Sequence, residues 1–224
     1  MSRPHIQFVM ARFMEPWDRV LAFDSVIRNN LRQAATWEVI VYNRGPDQTV
    51  PLLPSDNWRI VPDENIGRDV YVILHHIHDH YENLPDIFVS VPGHWWSPHR
   101  LDSLNYVFLM MFQGFAPVPG YCDWNRERHF TLEQWGGSAV NQEGVAKQRY
   151  TLSSIRPYGE WYQRRIPVPF KNYVTLCCVF SCPSANILRY SREQWKDWME
   201  EMKAHGVNSE LGHFWERTFY SLLS

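Results

Sequence analysis

Four cysteines in 224 residues, without two paired Cys-x-x-Cys elements, leave no framework for a metal knot or a disulfide-stapled fold. Cys177, Cys178 and Cys182 lie in or beside an apolar run and, with Cys122, read as buried thiols. No apolar segment approaches the ~20 residues that span a bilayer, and Met-Ser-Arg-Pro-His leads straight into a strand-like run. The expectation is a cytoplasmic chain without a membrane span. There is no run of Lys or Arg, and the formal net charge is −2, so nothing electrostatic points to nucleic acid or an anionic membrane. Gly-x-Ser-x-Gly, HExxH, Walker and Rossmann glycine patterns are missing too. What is present is 45% hydrophobic residues, enough for one α/β domain with a substantial core and a small molecule or a protein as partner.

The organising stretch is 63–92. Val70, Ile73, Leu74, Ile77, Tyr81 and Leu84 recur at intervals of three and four, which predicts a helix with one face on a core, ended by Pro85. Gly67 permits a tight turn and Asn65 is placed to cap the first amides. Arg68 and Asp69 then stand where unpaired N–H groups would meet a phosphate. Residues 87–91 read as a buried strand. Upstream, a strand at 6–11 is followed by a helix that starts at Pro16 with Trp17, Val20, Leu21, Ile27 and Leu31 inward, and then by a strand at 39–42. With Ile60 and Val61 as a third strand the order is β-α-β-β-α-β, a mixed, mostly parallel sheet flanked by helices. Ligands of such sheets bind beyond the carboxyl ends of the strands, so Arg12 and Glu15, Asn43 and Arg44, residues 65–69, and Gly93 and His94 are expected to converge on one crevice.

Farther on the period weakens. Residues 104–115 read as a helix, and 121–169 as ordered loop in which Trp124, Trp135, Trp161 and Tyr162 either line a groove for flat sugar faces or cover the sheet. A strand follows at 173–180. Ser191-Arg192-Glu193-Gln194 has the form of a capping box, and its helix ends near His205-Gly206. Ser209 caps a last helix with Leu211, Phe214, Trp215, Thr218 and Leu222 on one face. Glu210, His213 and Arg217 share another, either as a hydrogen-bonded array over the crevice or as a solvated salt-bridge face. Gly212, at a cost of about 1 kcal/mol inside a helix, suggests close approach of another backbone or of a ligand. The histidines at 75, 76, 78 and 80 read either as metal ligands or as imidazoles at a helix edge.

These blocks carry a resemblance. Residues 11–15 and 41–45, Asn65-x-Gly67-Arg68-Asp69 with its His-rich helix, Leu84-Pro85-Asp86, and Glu210-x-Gly212-His213-x-x-Glu216-Arg217 resemble an uncharacterised domain-of-unknown-function family similar to GT-A glycosyltransferases. Asn-x-Gly-Arg-Asp also resembles a segment of rhamnan-synthesis glycosyltransferases. The resemblance implies a single GT-A-like domain over 1–224, with a nucleotide-binding half (1–94) and an acceptor-binding half (95–224). It implies transfer of a sugar from a nucleoside-diphosphate donor to a glycan or glycoconjugate. Arg12, Glu15, Tyr42 and Asn43 would hold base and ribose, Asn65, Gly67, Arg68 and Asp69 the ribose and diphosphate, and His94 would face the sugar. Glu210 or His213 would be the base, oriented by Arg217, with Asp69 and Glu216 in reserve. The chain departs from the pattern at Cys177-Cys178, where the family tends to have Gly-Ala. It departs again after residue 91, where Pro-Gly-His-Trp-Trp replaces the Asp-x-Asp that holds Mn²⁺ or Mg²⁺ in many GT-A enzymes, which leaves Mn²⁺ or Mg²⁺ as an open cofactor and Arg68, Arg12 and His94 as the cations available in its place. A carbohydrate-binding or assembly protein on the same fold, and a metal-dependent hydrolase built on the histidine helix, are the competing readings.

Overall fold

Along β1 (His5–Arg12), Ile6, Phe8 and Met10 face one side of a sheet and Val9 and Ala11 the other, and all are buried. A strand apolar on both faces needs a layer of helices on each side, which is the setting of a parallel strand. Accordingly β1 pairs in parallel with β2 (Thr36–Asn43) and β4 (Ile87–Pro92), and β2 with β3 (Trp58–Pro62). An eleven-residue β6 (Tyr173–Pro183) runs antiparallel to β4 and carries β5 (Ala116–Tyr121) at the edge. The order is β3-β2-β1-β4-β6-β5 in a computed structural model that describes residues 3–133 and 149–224 as one α/β domain.

The helices in chain order are α1 (Trp17–Leu21), α2 (Phe23–Leu31), α3 (Arg68–Asp79), α4 (Pro98–Met110), α5 (Trp124–Glu127), α6 (Tyr158–Arg165), α7 (Ser184–Ile187), α8 (Arg192–Ala204) and α9 (Glu210–Leu223). One face of the sheet buries Val20, Phe23, Ile27 and Leu31 of α1 and α2 with Leu104 and Val107 of α4. The other buries Val70, Ile73 and Ile77 of α3 with Trp161, Trp195, Trp198, Phe214 and Trp215 from α6, α8 and α9. Among the described residues no helix is long and apolar enough to cross a membrane.

The periodic segments take the expected forms, and the differences have local causes. The helix expected at 104–115 starts at Pro98, because Ser97 is extended and a proline suits the first helical position. The single helix expected after Pro16 bends at Ala22 into two. The stretch 121–169, expected to be loop, contains α5 and α6. Just before it Ala-Pro-Val-Pro-Gly-Tyr forms β5, whose prolines are tolerated because it is the edge strand. Ser191 accepts from the Gln194 amide at 3.2 Å and Ser209 from the Leu211 amide at 3.1 Å, so both caps form. Asn65 is no cap: no side chain caps α3, and the Asn65 carbonyl oxygen takes a hydrogen bond from Arg44 at 3.3 Å.

Candidate functional site

The strand order reverses between β1 and β4, and the loops at their carboxyl ends meet there. Register sets Arg12 beside Asn43, and Arg12 Nη1 donates to Asn43 Oδ1 at 2.7 Å while its guanidinium lies 3.9 Å over the Trp17 ring. With Nε given to the Glu15 carbonyl, Arg12 is buried and committed to holding the loop. Glu15 takes the Phe13 amide at 2.7 Å and lies 3.5 Å from His94 Nδ1. Burial alone would raise this carboxyl, but His94 and the Phe13 amide outweigh it and hold it at about 2. Gly93 is required by the closeness of this packing, since a Cβ there would stand 2.5 Å from the Ala11 carbonyl oxygen.

The loop before α3 is set by Arg44. Buried at the end of β2, it donates to the carbonyls of Glu64, Ile66 and Arg68 and lies 3.9 Å from Asp63. Gly67 (φ 56°) and Arg68 (φ 54°) are both left-handed, and the Gly67 amide bonds the Gly206 carbonyl at 3.0 Å. This tight entry leaves the Arg68 side chain exposed, touching Asn208 at 3.3 Å. Beside it, Arg68 and Asp69 line a cavity of about 80 Å³ together with Arg100 of α4, Cys178 of β6, and Gly212, His213 and Glu216 of α9. Burial raises the proton affinity of Asp69, against the pull of Arg100 and Arg44, and Glu216 adds to the rise. His213 Nδ1 and Glu216 Oε2 are 3.6 Å apart. Among the described residues no atom lies within 4 Å of where a Cβ at Gly212 would stand, and the glycine lines the cavity.

The expected array of Glu210, His213 and Arg217 does not form as one face. Glu210 is fully buried, accepting the Leu132 and Ser153 amides, each at 2.9 Å, and two contacts from Arg156. Arg217 donates to Glu127 at 2.9 Å and lies 3.5 Å over the Phe130 ring. Both anchor α9, Arg217 to Glu127 and Phe130 and Glu210 to Leu132, Ser153 and Arg156, and only His213 of the three lines the cavity. Tyr42 is likewise withdrawn from the crevice. Its hydroxyl pairs with His76 Nδ1 at 2.9 Å, and His76 Nε2 with Gln7, in a buried polar chain between α3 and the sheet. His76 also stacks on His80, and among the described residues no group of three or more His, Cys, Asp or Glu converges for a metal.

Arg100 and Cys178 join the site unexpectedly. Ser97-Pro98 is a helix-start signal that would have put Arg100 in a first turn just past β4. Cys177 (φ 67°) and Cys178 (φ 53°) are both left-handed, at a bulge where two residues along β5 match five along β6. Of the aromatic groove, Trp161 is fully buried, Trp124 and Tyr162 stand with Phe170 at a hollow of about 720 Å³, and Trp135 lies outside the described residues. A second hollow, about 440 Å³, lies beside Asp63, Tyr71 and His75.

No curated protein sequence matches the chain. Among solved structures it is similar to glucosyl-3-phosphoglycerate synthase from Mycobacterium tuberculosis, in complex with Mn²⁺, UDP and glucosyl-3-phosphoglycerate, at 12% identity and a TM-score of 0.36 over 92% of this chain and 69% of that one. The chain belongs to the family described as "Protein of unknown function (DUF3431)", whose model matches residues 27–224.

Proposed function

We propose that this member of a family without an assigned function is a glycosyltransferase of GT-A-like architecture, moving a sugar from a nucleoside diphosphate to a glycan or glycoconjugate acceptor. The observation that carries the reading is the meeting of cationic and acid–base side chains around one cavity at the carboxyl edge of the sheet: Arg68 and Arg100 with Asp69, His213 and Glu216. Phosphate needs the first kind of group, and deprotonation of a hydroxyl the second.

In this reading residues 1–94 supply most of the donor side, and 95–224 shape the acceptor side and bring Arg100 to the cavity. The nucleoside takes the hollow beside Asp63 and Tyr71, the diphosphate lies by Asn65, Gly67 and Arg68, and His94 faces the sugar. His213 takes the acceptor proton with Glu216 orienting it, Asp69 stands beside the diphosphate between Arg44 and Arg100, and Glu210 and Arg217 keep α9 in place. Arg12, Glu15 and Asn43 hold the wall of the pocket. Tyr42 supports α3 from behind.

The test is a screen of UDP-, GDP- and dTDP-sugars for donor hydrolysis and transfer. His213→Ala and Glu216→Gln should each lower turnover by about 10²–10⁴-fold and ~10-fold respectively while leaving donor affinity unchanged. Absence of binding to every nucleotide and sugar nucleotide would overturn the reading. The Trp124–Tyr162–Phe170 hollow favours a second one, a carbohydrate-binding protein without turnover. Tryptophan quenching by oligosaccharides in a chain inert to all donors would support that alternative.

A further inference from the structure

A departing diphosphate needs positive charge placed before the bond breaks. Among the described residues no group of three or more His, Cys, Asp or Glu converges to hold a metal by itself. His94, the residue just past β4, is also committed: its Nδ1 is 2.8 Å from Arg100 Nη1 and 3.5 Å from Glu15. A metal ion on that nitrogen would sit against a guanidinium. No step here passes through a metal.

We infer that Arg100 binds the diphosphate of the donor and supplies, as a fixed guanidinium, the charge that a carboxylate-bound metal would supply elsewhere. The inference rests on the reading that the donor is a nucleoside-diphosphate sugar. Arg100 stands in the first turn of α4 and lines the same cavity as Arg68, Asp69, His213 and Glu216. Its Nη1 lies 2.8 Å from His94 Nδ1. Its Nε is buried and, among the described residues, donates to no nitrogen or oxygen acceptor. The guanidinium also reaches the Cys177 thiol, and as a fixed cation lining the cavity it can form charge-assisted bonds with a phosphoryl oxygen placed there. Asp69 and Glu216 share this space, and two bare carboxylates would repel a diphosphate. Burial raises the proton affinity of Asp69, and Arg100 and Arg44 draw it back, so the guanidinium faces carboxylate charge as well as the anion. Arg68 comes from the other side, so two arginines from separate elements would grip one anion.

The test is calorimetry on the full chain with inorganic pyrophosphate, UDP, GDP and UMP, all in EDTA. Wild type should bind a diphosphate without metal. Arg100→Ala should weaken pyrophosphate and the preferred nucleoside diphosphate by about tenfold or more, and the preference for UDP over UMP should shrink. A ligand-free melting temperature equal to wild type shows that the variant is folded. Should it fail to fold, Arg100→Lys keeps the charge and loses the fork, and measurably weaker pyrophosphate binding is expected of it. Equal affinity in wild type and the folded variant would overturn the inference and leave the glycosyltransferase reading standing. So would binding abolished by EDTA, restored by Mn²⁺ and indifferent to Arg100. No diphosphate binding by wild type under any condition would overturn both.

Discussion

Arg44 and Arg68 sit on either side of one backbone turn, and their surroundings separate what each does. Arg44 is buried and spends its donors on three carbonyls of the 64–68 loop; Arg68 is exposed with one side-chain contact. Arg68→Ala should therefore leave thermal stability unchanged and weaken nucleotide binding by about tenfold or more, read by calorimetry. Arg44→Ala should lower both, with a stability loss on the order of 3 kcal/mol, because it strands carbonyls and Asp63 in a buried place. At Cys177 the left-handed backbone disfavours any side chain, while the thiol is only half-buried. Cys177→Gly should gain about 0.5–1 kcal/mol in urea unfolding, and Cys178→Gly less, since that side chain is buried.

Within elements, α9 is held by its first residue. Glu210→Gln keeps the shape but removes the charge facing Arg156 and weakens two amide bonds, so a fall of about 2–4 kcal/mol in stability is expected before any effect on turnover. Rescue of activity at low temperature would mark the residue as structural. In α3, burial pushes the His76 imidazole well down, with His80, His75 and Arg59 adding to it. The folded chain thus binds this proton less readily than the unfolded chain, whose histidine titrates near ~6.5. Its contribution to stability is present above that pH and is lost as pH falls below it. His75 has the opposite sign: hydrogen bonding to Asp63 raises it despite burial, so its contribution is present below ~6.5 and fades as pH rises through its folded value. Urea unfolding of His76→Gln from pH 7 to 5 should show a shallower acid-side loss than wild type, and an identical slope would remove His76 from the account.

On the scale of the whole molecule, the sheet does not respect the division at residue 94. β4, from the first half, lies between β1 and β6, and the core on the α3 face draws on Phe88 as well as Phe180, Phe214 and Trp215. One cooperative transition is expected, with far-UV circular dichroism and tryptophan fluorescence coincident in urea. Separate midpoints for the two probes would show that the halves fold independently. A chain of residues 1–96 alone would expose the β4 edge and the apolar face of α3, so it should be insoluble or unfolded.

The strands at 6–11, 39–42 and 87–91 and the helices of the 70s, 190s and 210s were determined by the sequence itself, because a short apolar run bounded by turn residues and a period of 3.6 are local properties that the final packing only confirms. The expectation that four loops meet at one sheet edge rested on parallel strands, whereas the reversal in their order on which it depends was decided by the tertiary structure. β5 was hidden by two prolines that only an edge position excuses, and α6 by a length too short for its period to show. Tertiary structure alone decided which polar side chains face the crevice. Glu210, Tyr42 and Arg12 carry the right chemistry at the right spacing, yet Arg156, His76 and Asn43, distant in sequence, draw them into the fold. Arg100 is the converse, a residue of no special pattern left at the cavity. Spacing along one helix fixes which residues are neighbours on its surface, whereas what lies opposite that surface depends on every other element that packs there.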